Sequence, residues 1–271
     1  RSELEIFQTR TQEIIESLHL NPETYFELLE LGPGDGLKTK ELLRILEKQK
    51  YKFDYFPIDI SQNALDNLEL NLKNELPDIS DKKKQGDYFK VLESIKNSKN
   101  LKVVLFLGSN IGNMPDKVAA DFIYRLGANL RNGDKLLLGV DLLKPESIVL
   151  PAYNDSKGVT AEFNFNLLKR INAELGGNFN LNNFIHKPEY SEKVGIVKSY
   201  LESSVDQIVY IEKLDKTFCF ANGEKMLTEI SRKYDDEILN KIIEKTDFKI
   251  TGKLSDSKNY FTDYIMERDE N

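Results

Sequence analysis

Apolar and polar residues alternate along the first half of the chain with two different periods. Four short, almost continuously apolar runs predict strands buried on both faces, as in a covered parallel sheet: residues 25–31, 53–61, 101–108 and 134–143. Between them, apolar residues recur at helical spacing, for example Leu65, Leu68 and Leu72, which follow a candidate N-cap at Ser61. This order of strands and helices predicts an α/β fold with a mostly parallel sheet and helices on both faces.

The pattern changes after Lys144. Residues 145–231 contain one clear helical segment, VTAEFNFNLLKRINAELG, and otherwise short alternating segments, which together predict a second, smaller α+β lobe. The tail returns to a helix and two strands, which are expected to close the first sheet with an antiparallel edge. We therefore predict two domains, one of residues 1–144 with 232–271 and one of residues 145–231.

A glycine-rich turn follows the first predicted strand in the stretch ELGPGDGLKT. A strand, a glycine turn and a helix present free backbone N–H groups and the positive end of the helix dipole to a ligand. The spacing of Gly32, Gly34 and Gly36 is not the G-x-G-x-x-G of dinucleotide enzymes, and no Gly-Lys-Ser/Thr follows as in a P-loop. Glycines after a strand also form turns without any ligand, so this signal alone leaves the ligand open.

Acidic residues near the ends of neighbouring strands narrow the choice of ligand. Asp59 ends the second strand, where a carboxylate accepts hydrogen bonds from ribose hydroxyls, unless it only caps the next helix. Asp87, in GDYF, is placed to reach an adenine amino group, or is a surface residue of a Gly-Asp turn. Glu30 and Asp35 add negative charge around the glycine turn, which favours a cationic sulfonium over a pyrophosphate and therefore S-adenosylmethionine over NAD.

The stretch LFLGSNIGN ends the most apolar predicted strand. It places Ser109, Asn110 and Asn113 at the carboxyl end of a central strand, where open α/β sheets bind their ligands. Three neutral hydrogen-bonding side chains suit a small polar acceptor, and an ordinary Asn-Gly turn is the alternative explanation.

Composition excludes several classes of partner. The net charge of −7 argues against nucleic acid, and a single cysteine with two distant histidines predicts neither a disulfide nor a metal site. No apolar run is long enough for a membrane span and none resembles a secretory signal. We therefore expect a cytoplasmic monomer that acts on a small molecule; Arg1 in place of Met leaves room for a segment upstream.

Several motifs carry a family resemblance. ELGPGDGLKT, PIDIS, GDY, FLGSNIGN, LLLGVDLLK, AYND, GVTAEFNFNLLKRINAELG and LTEIS resemble, in order, the histidine N-alpha-methyltransferases of ergothioneine biosynthesis and their fungal relatives, the dimethylallyltryptophan N-methyltransferases. The resemblance extends from about residue 8 to the C-terminus. GSNIGN followed by AYND and GVTAEFN is specific to this family, whereas the glycine turn is not.

The resemblance implies a Rossmann-like class I methyltransferase sheet with a smaller substrate-binding lobe. It implies transfer of methyl groups from S-adenosylmethionine to the α-amine of an amino acid, with histidine becoming its trimethylated betaine, hercynine. The positions that would hold the cofactor are Gly32, Gly34, Lys38, Asp59, Asp87 and Tyr88. Asn113 and Tyr153 would bind the amine and carboxylate as the catalytic positions, and Glu229 and Ser231 would face the side chain.

Two departures from the family pattern concern the acceptor. Ile6 and Phe7 stand where the family has a tyrosine pair, one member of which touches the amino acid, and Ser199 stands where relatives have a bulkier methionine. These departures leave the size and polarity of the side-chain pocket open. Tryptophan or a prenylated tryptophan is the alternative acceptor, since the fungal relatives include such enzymes. Outside this class, the alternatives are an NAD-dependent oxidoreductase and a non-catalytic cofactor-binding protein.

Overall fold

The computed structural model describes residues 1–269, which belong to two compact units. The first unit consists of Arg1–Leu142 and the chain from Tyr234 onward, and the second of Leu143–Lys233. Each boundary lies two residues from the one that the sequence pattern indicated. The second unit is thus longer by two residues at each end than the pattern indicated. It gains Leu143 and Lys144 at its start and Arg232 and Lys233 at its end.

The first unit is an α/β sheet structure. Its elements are α1 (Ser2–Thr9), α2 (Thr11–Ser17), β1 (Phe26–Leu31), α3 (Thr39–Lys48), β2 (Phe53–Asp59), α4 (Gln62–Glu75), β3 (Lys84–Gln85), α5 (Tyr88–Ile95), β4 (Leu101–Phe106), α6 (Asp116–Gly127) and β5 (Lys135–Asp141). The second unit contains α7 (Glu146–Tyr153), α8 (Val159–Leu175), β6 (Phe184–Ser191), β7 (Ile196–Ser203), β8 (Gln207–Ile211), β9 (Lys216–Phe220) and β10 (Lys225–Arg232). The first unit then resumes with α9 (Asp236–Ile243), β11 (Phe248–Ser255) and β12 (Phe261–Arg268).

The seven strands of the first unit form one sheet in the order β11-β12-β5-β4-β1-β2-β3. β1 pairs in parallel with both β2 and β4, and β12 pairs antiparallel with β5. All six residues of β1 are buried, which explains why four of them are apolar. The other two are the glutamates Glu27 and Glu30. The predicted parallel sheet with an antiparallel edge is thus confirmed.

Two helices and two strands were not predicted from the sequence. The sequence indicated a helix only from residue 10 onward, but α1 precedes it and buries Glu3, Ile6 and Phe7, which lie at helical spacing. In the second unit the pattern did not single out α7, which contains Pro151, or β6; in the first it missed the two-residue strand β3. Among residues 1–269 no helix has the length and apolar character needed to cross a membrane.

The second unit has its own small core. A three-stranded antiparallel sheet in the order β10-β7-β6 and a separate hairpin of β8 and β9 accompany α8. Leu168 of α8 is fully buried with residues from the strands, among them Phe184 and Leu201. The pairing of β10 with β7 shifts register between Leu227 and Glu229. Beyond this irregularity, Glu229 and Ser231 project from the same face of β10 because side chains alternate along a strand.

Candidate active site

The glycine turn after β1 brings backbone and side chains into close contact. Gly32, Gly34 and Gly36 have φ angles of +69°, +60° and +70°, a left-handed conformation that glycine adopts with little strain. A Cβ added at Gly32 would lie 2.7 Å from the hydroxyl oxygen of Tyr88, so a side chain at this position would displace the tyrosine. Gly32 is therefore required both for its backbone angle and for the contact with Tyr88.

Two acidic residues flank Tyr88. Burial raises the pKa of the Tyr88 hydroxyl, and the negative charges of Asp59 and Asp87 raise it further. The structure therefore brings Gly32, Asp59 and Tyr88 together at the carboxyl ends of β1 and β2. Asp59 does not cap the next helix: its Oδ1 accepts the N–H of Ser61 at 2.8 Å, and the N-cap of α4 is Ser61.

Asp87 has a definite structural role. Its Oδ1 accepts the N–H groups of Phe89 and Lys90 at 3.0 and 3.2 Å, so it is the N-cap of α5. Capping fixes the start of α5, and with it the position of Tyr88, the first residue of that helix. Asp87 is also exposed, so the structure agrees with the alternative of a surface residue after Gly86 and adds capping as its role.

Glu30 differs from the sequence-based expectation. It is 2% exposed, and its two carboxylate oxygens accept hydrogen bonds from Thr39 Oγ1 at 2.6 Å and the Tyr55 hydroxyl at 2.5 Å. Burial raises the pKa of Glu30 despite these hydrogen bonds. The expectation that Glu30 adds negative charge around the turn is therefore wrong, since its carboxyl group joins β1 to β2 and α3 inside the unit.

Lys38, predicted to contact the cofactor, forms a partly buried ion pair. Its Nζ lies 2.5 Å from Oε2 of Glu3, and the backbone N–H of Gly108, just beyond β4, donates to both Glu3 oxygens at 2.9 Å. Helix α1 is thus attached to the carboxyl end of the sheet through a charged residue. The sequence did not reveal Glu3, because a glutamate at an apolar helical position reads as a break in the pattern.

A second carboxyl group lies beside Glu3. Asp263 of β12 is fully buried, and within residues 1–269 neither of its oxygens has a hydrogen-bond donor. A Cβ added at Gly139 would lie 2.9 Å from Asp263 Oδ1 and would also collide with Glu3 Oε1, so both acids face the same glycine. Burial, and then the negative charge of Glu3, raises the pKa of Asp263 well above its ordinary value. Glu3 and Asp263 therefore lie close together beside Lys38.

A cavity of about 450 Å³ opens at this end of the sheet. Its wall contains one lysine, one arginine and three carboxylates, and its lining residues are Arg1, Ser2, Glu3, Leu4, Asp35, Leu37, Lys38, Gly108, Asp141 and Phe261. A somewhat larger cavity, of about 500 Å³, lies between α6 and α9, away from the carboxyl ends of the strands. The acidic cavity next to the glycine turn is the better fit to a sulfonium compound that also carries a carboxylate, because it offers both signs of charge.

The motif after β4 forms a short 3₁₀ helix, Asn110–Asn113. Ser109 precedes it in a left-handed conformation with φ +56°, and its Oγ accepts the N–H of Asp141 at 3.0 Å. The amide nitrogen of Asn110 lies 3.7 Å from the place that a Cβ on Gly32 would occupy. Ser109 thus has a structural function, Asn110 borders the glycine turn, and Asn113 is exposed at the end of the 3₁₀ helix.

Two of the residues predicted to bind the acceptor, Tyr153 and Ser231, form a hydrogen-bonded cluster with Lys233. The Tyr153 hydroxyl, at the end of α7, donates to Ser231 Oγ on β10 at 2.8 Å. Lys233, which the sequence did not single out, donates from Nζ to the Tyr153 oxygen at 2.7 Å and to Ser231 Oγ at 3.0 Å. Lys233 is 1% exposed, whereas Glu229 is only partly buried.

The two departures from the family pattern lie in different environments. Ile6 and Phe7 are fully buried in the core of the first unit, so their side chains are not available to contact an amino acid. Ser199 pairs across the sheet with Glu229, is 1% exposed, and its hydroxyl has no hydrogen-bond partner among residues 1–269. Only the second departure therefore lies beside a predicted substrate-binding residue.

Comparison with known proteins identifies the family of this chain. The sheet order, the glycine turn and the acidic cavity define an S-adenosylmethionine-dependent methyltransferase with a Rossmann-like fold. The model of the family described as "Histidine-specific methyltransferase, SAM-dependent" matches residues 1–268, and the chain belongs to that family. This confirms the class of enzyme and the cofactor predicted from the motifs, and it decides against the oxidoreductase.

Individual relatives support the same assignment. The histidine N-alpha-methyltransferase of Mycolicibacterium smegmatis is 35% identical over 88% of this chain and 72% of its own length. Ergothioneine biosynthesis protein 1 of Schizosaccharomyces pombe is 29% identical over 98% of this chain and 35% of that protein. The structure of an S-adenosylmethionine-dependent methyltransferase from Clostridium acetobutylicum, 13% identical, covers 99% of this chain and 92% of that one with a TM-score of 0.52, which confirms the fold.

The contact between Gly32 and Tyr88 predicts that Gly32→Ala weakens binding of S-adenosylhomocysteine at least tenfold. The added methyl would meet the tyrosine hydroxyl, at 2.7 Å, in addition to straining a backbone with φ +69°. Gly133→Ala is the matched control, because φ there is +87° but nothing lies within 4 Å of the added carbon. Both variants should unfold at a lower temperature, as expected for alanine in this conformation, but only Gly32→Ala should lose affinity in a calorimetric titration. Equal affinities for the two variants would contradict the contact.

The buried acid pair predicts a pH-dependent effect of Asp263→Asn. Because the folded-state pKa of Asp263 is raised, its stabilising contribution is present at low pH and is lost as the pH rises through that pKa. The asparagine variant should therefore gain thermal stability over the parent between pH 4 and pH 8, measured as the difference in unfolding midpoint.

Asp256→Asn is the control, because the pKa of Asp256 is shifted in the opposite direction from that of Asp263. Burial raises the pKa of Asp256, but hydrogen bonds from the backbone N–H groups of Phe261 and Tyr260 outweigh burial and lower it. This variant should be less stable than the parent at pH 7, with the difference shrinking in acid. A pH-independent effect of Asp263→Asn would show that the pKa of Asp263 is not raised in the folded protein.

Proposed function

We propose that this protein transfers methyl groups from S-adenosylmethionine to the α-amine of L-histidine and produces the trimethylated betaine. Membership of the histidine-specific family and the similarity to named histidine N-alpha-methyltransferases support this substrate. The observation that carries the proposal is the hydrogen bond between Tyr153 and Ser231. These residues are 78 positions apart, belong to different family motifs and meet at 2.8 Å.

The first unit would be the cofactor-binding domain. Bound S-adenosylmethionine would supply an activated methyl group. The backbone of the turn at Gly32 and Gly34 would contact the cofactor, although the N–H of Gly32 itself donates to the Ile58 carbonyl at 2.9 Å, and Asp59 would accept hydrogen bonds from the ribose hydroxyls. Asp87 and Tyr88 would lie on the adenine side. Lys38 would offer its charge to the cofactor carboxylate while Glu3 holds it in place at 2.5 Å.

The second unit would supply most of the acceptor-binding residues. By their motif positions, Tyr153 and Asn113 would hold the carboxylate and the amine of the amino acid. Glu229 and Ser231, two positions apart on one face of β10, would contact the two ring nitrogens of the side chain. The fit is chemical, because a carboxylate accepts a hydrogen bond and a hydroxyl donates one, and a neutral imidazole needs both.

The reaction itself is an in-line displacement. The amine lone pair forms the new N–C bond, the C–S bond breaks with its electron pair remaining on sulfur, and the amine proton leaves to solvent. The amine must therefore be deprotonated before each transfer, and the third transfer gives a quaternary ammonium group. Placing amine and methyl at about 3 Å in line contributes several kcal/mol without a covalent intermediate.

The substrate assignment predicts the outcome of a competition among amino acids. With S-adenosylmethionine present, mass spectrometry should show histidine gaining three methyl groups, while tryptophan and a prenylated tryptophan remain unchanged. Monomethylated and dimethylated histidine should also be consumed when supplied directly, since the same amine reacts in each round. Methylation of tryptophan-like acceptors alone would replace histidine by the fungal type of substrate, and cofactor binding without turnover would indicate a non-catalytic protein.

The division of roles between the units predicts opposite kinetic signatures. Asp59→Ala should weaken cofactor binding by about 1–3 kcal/mol, the usual loss for a hydrogen bond to a charged group. Glu229→Ala should leave the cofactor Kd unchanged and raise the KM for histidine. Isothermal titration with S-adenosylhomocysteine and steady-state kinetics on both variants test this division. Two variants with the affinity and KM of the parent would rule out these placements.

A further inference from the structure

Glu3 of α1 is a buried carboxylate in the wall of the cavity next to the glycine turn. It is 5% exposed and accepts hydrogen bonds from Lys38 Nζ at 2.5 Å and from the backbone N–H of Gly108 at 2.9 Å. A Cβ added at Gly139 of β5 would collide with Glu3 Oε1, so the sheet leaves room for this side chain. Burying a carboxylate is costly unless its surroundings compensate. A buried carboxylate that lines a cavity therefore calls for a functional explanation.

Two carboxyl groups lie beside one lysine at this place. Asp263 of β12 is fully buried, and within residues 1–269 neither of its oxygens has a hydrogen-bond donor. The Lys38 ammonium forms its ion pair with Glu3. Burial and the negative charge of Glu3 raise the pKa of Asp263, and the positive charge of Lys38 lowers it only in part. A further positive charge would therefore stabilise the cluster, and the cavity is the side from which a ligand can bring one.

The amino-acid part of S-adenosylmethionine carries charges of both signs. Its α-ammonium and its α-carboxylate are bonded to the same carbon atom, so the groups that bind them must be close neighbours in the protein. Lys38 and Glu3 meet this condition, because their ammonium and carboxylate groups are in direct contact. Of the three carboxylates that line the cavity within residues 1–269, Glu3 is the one that forms an ion pair with Lys38.

Both members of this ion pair keep hydrogen-bonding capacity for a ligand. An ammonium group has three donors, and Lys38 uses one of them for Glu3. A carboxylate has about four acceptor sites, and Glu3 accepts from Lys38 and from the N–H of Gly108, which its two oxygens share. Lys38 can therefore donate to a ligand carboxylate, and Glu3 can accept from a ligand ammonium, while their own pair stays intact. Asp35, by contrast, is exposed, so water weakens any ion pair that it forms.

We propose that Glu3 binds the α-ammonium of the cofactor, so that Glu3 and Lys38 together recognise both charges of its amino-acid part. This inference rests on the cofactor placement proposed above, with Lys38 at the carboxylate, and is independent of the acceptor amino acid. The ligand and the protein then present two charges each, and each charge lies next to one of opposite sign. Helix α1 thereby becomes part of the cofactor site, and a ligand that lacks either charge loses one of its partners.

The test measures the affinity of the parent enzyme for three ligands by isothermal titration calorimetry. S-adenosylhomocysteine carries both charges, a deaminated analogue has hydrogen in place of its amino group, and a decarboxylated analogue has hydrogen in place of its carboxylate. Each analogue should bind at least about tenfold more weakly than S-adenosylhomocysteine, because a hydrogen bond between charged groups is lost.

Three variants then locate the binding of each charge. Glu3→Gln, which keeps the length and removes the charge, should weaken S-adenosylhomocysteine and the decarboxylated analogue about tenfold, but should not weaken the deaminated analogue. Lys38→Met should show the converse pattern, with a loss of affinity only for the two ligands that carry the carboxylate. Glu5→Gln is the matched control, because Glu5 lies on the same helix, accepts the N–H of Ser257 at 2.9 Å and does not line the cavity. Its three affinities should equal those of the parent.

An effect of Glu3→Gln that is equal for all three ligands, or absent for all of them, would overturn the inference, since Glu3 would then only pack α1 or orient Lys38. The parent enzyme decides the question even if Glu3→Gln does not fold, because a deaminated analogue that binds as tightly as S-adenosylhomocysteine would also overturn it. No binding of S-adenosylhomocysteine by the parent enzyme would remove the cofactor placement, and this inference with it. A failure to methylate histidine, with the affinities as expected, would remove the proposed acceptor alone.

Discussion

The parallel pairing of β1 with both of its neighbours is the constraint on which the cofactor side of the structure depends. In this register Leu31 lies opposite Ile58 and Glu30 opposite Leu105, so the chain leaves β1, β2 and β4 at the same edge of the sheet. The glycine turn, Asp59 and Gly108 meet there as a consequence. Because these strands are buried on both faces, polar side chains can reach a ligand only from the loops beyond their ends.

Charge is organised differently in the two units. At the carboxyl edge of the first unit, the wall of the cavity contains three carboxylates besides Lys38 and Arg1. In the second unit the Lys233 ammonium is buried and donates to two hydroxyl groups. The carboxylates of the first unit suit a sulfonium ligand.

The sequence was informative wherever a physical pattern extended over a whole element. β1, β4 and β5 could be predicted because strands buried on both faces are continuous apolar runs. Helix α1 was missed because Glu3 interrupts its apolar face, and Glu3 is buried only through Lys38 and Gly108 from distant parts of the chain. Lys233 was missed for a related reason, since its hydroxyl partner on Tyr153 is 80 positions away. Motifs identified the types of residue in the site, but not the hydrogen bonds among them.

The chemistry demands control of protonation at the attacking amine. Methyl transfer requires a neutral amine, because the lone pair forms the new bond. The amine of a free amino acid loses its proton only above neutral pH. Each round of transfer therefore begins with the loss of a proton from the substrate, and positioning of amine and methyl supplies much of the remaining acceleration.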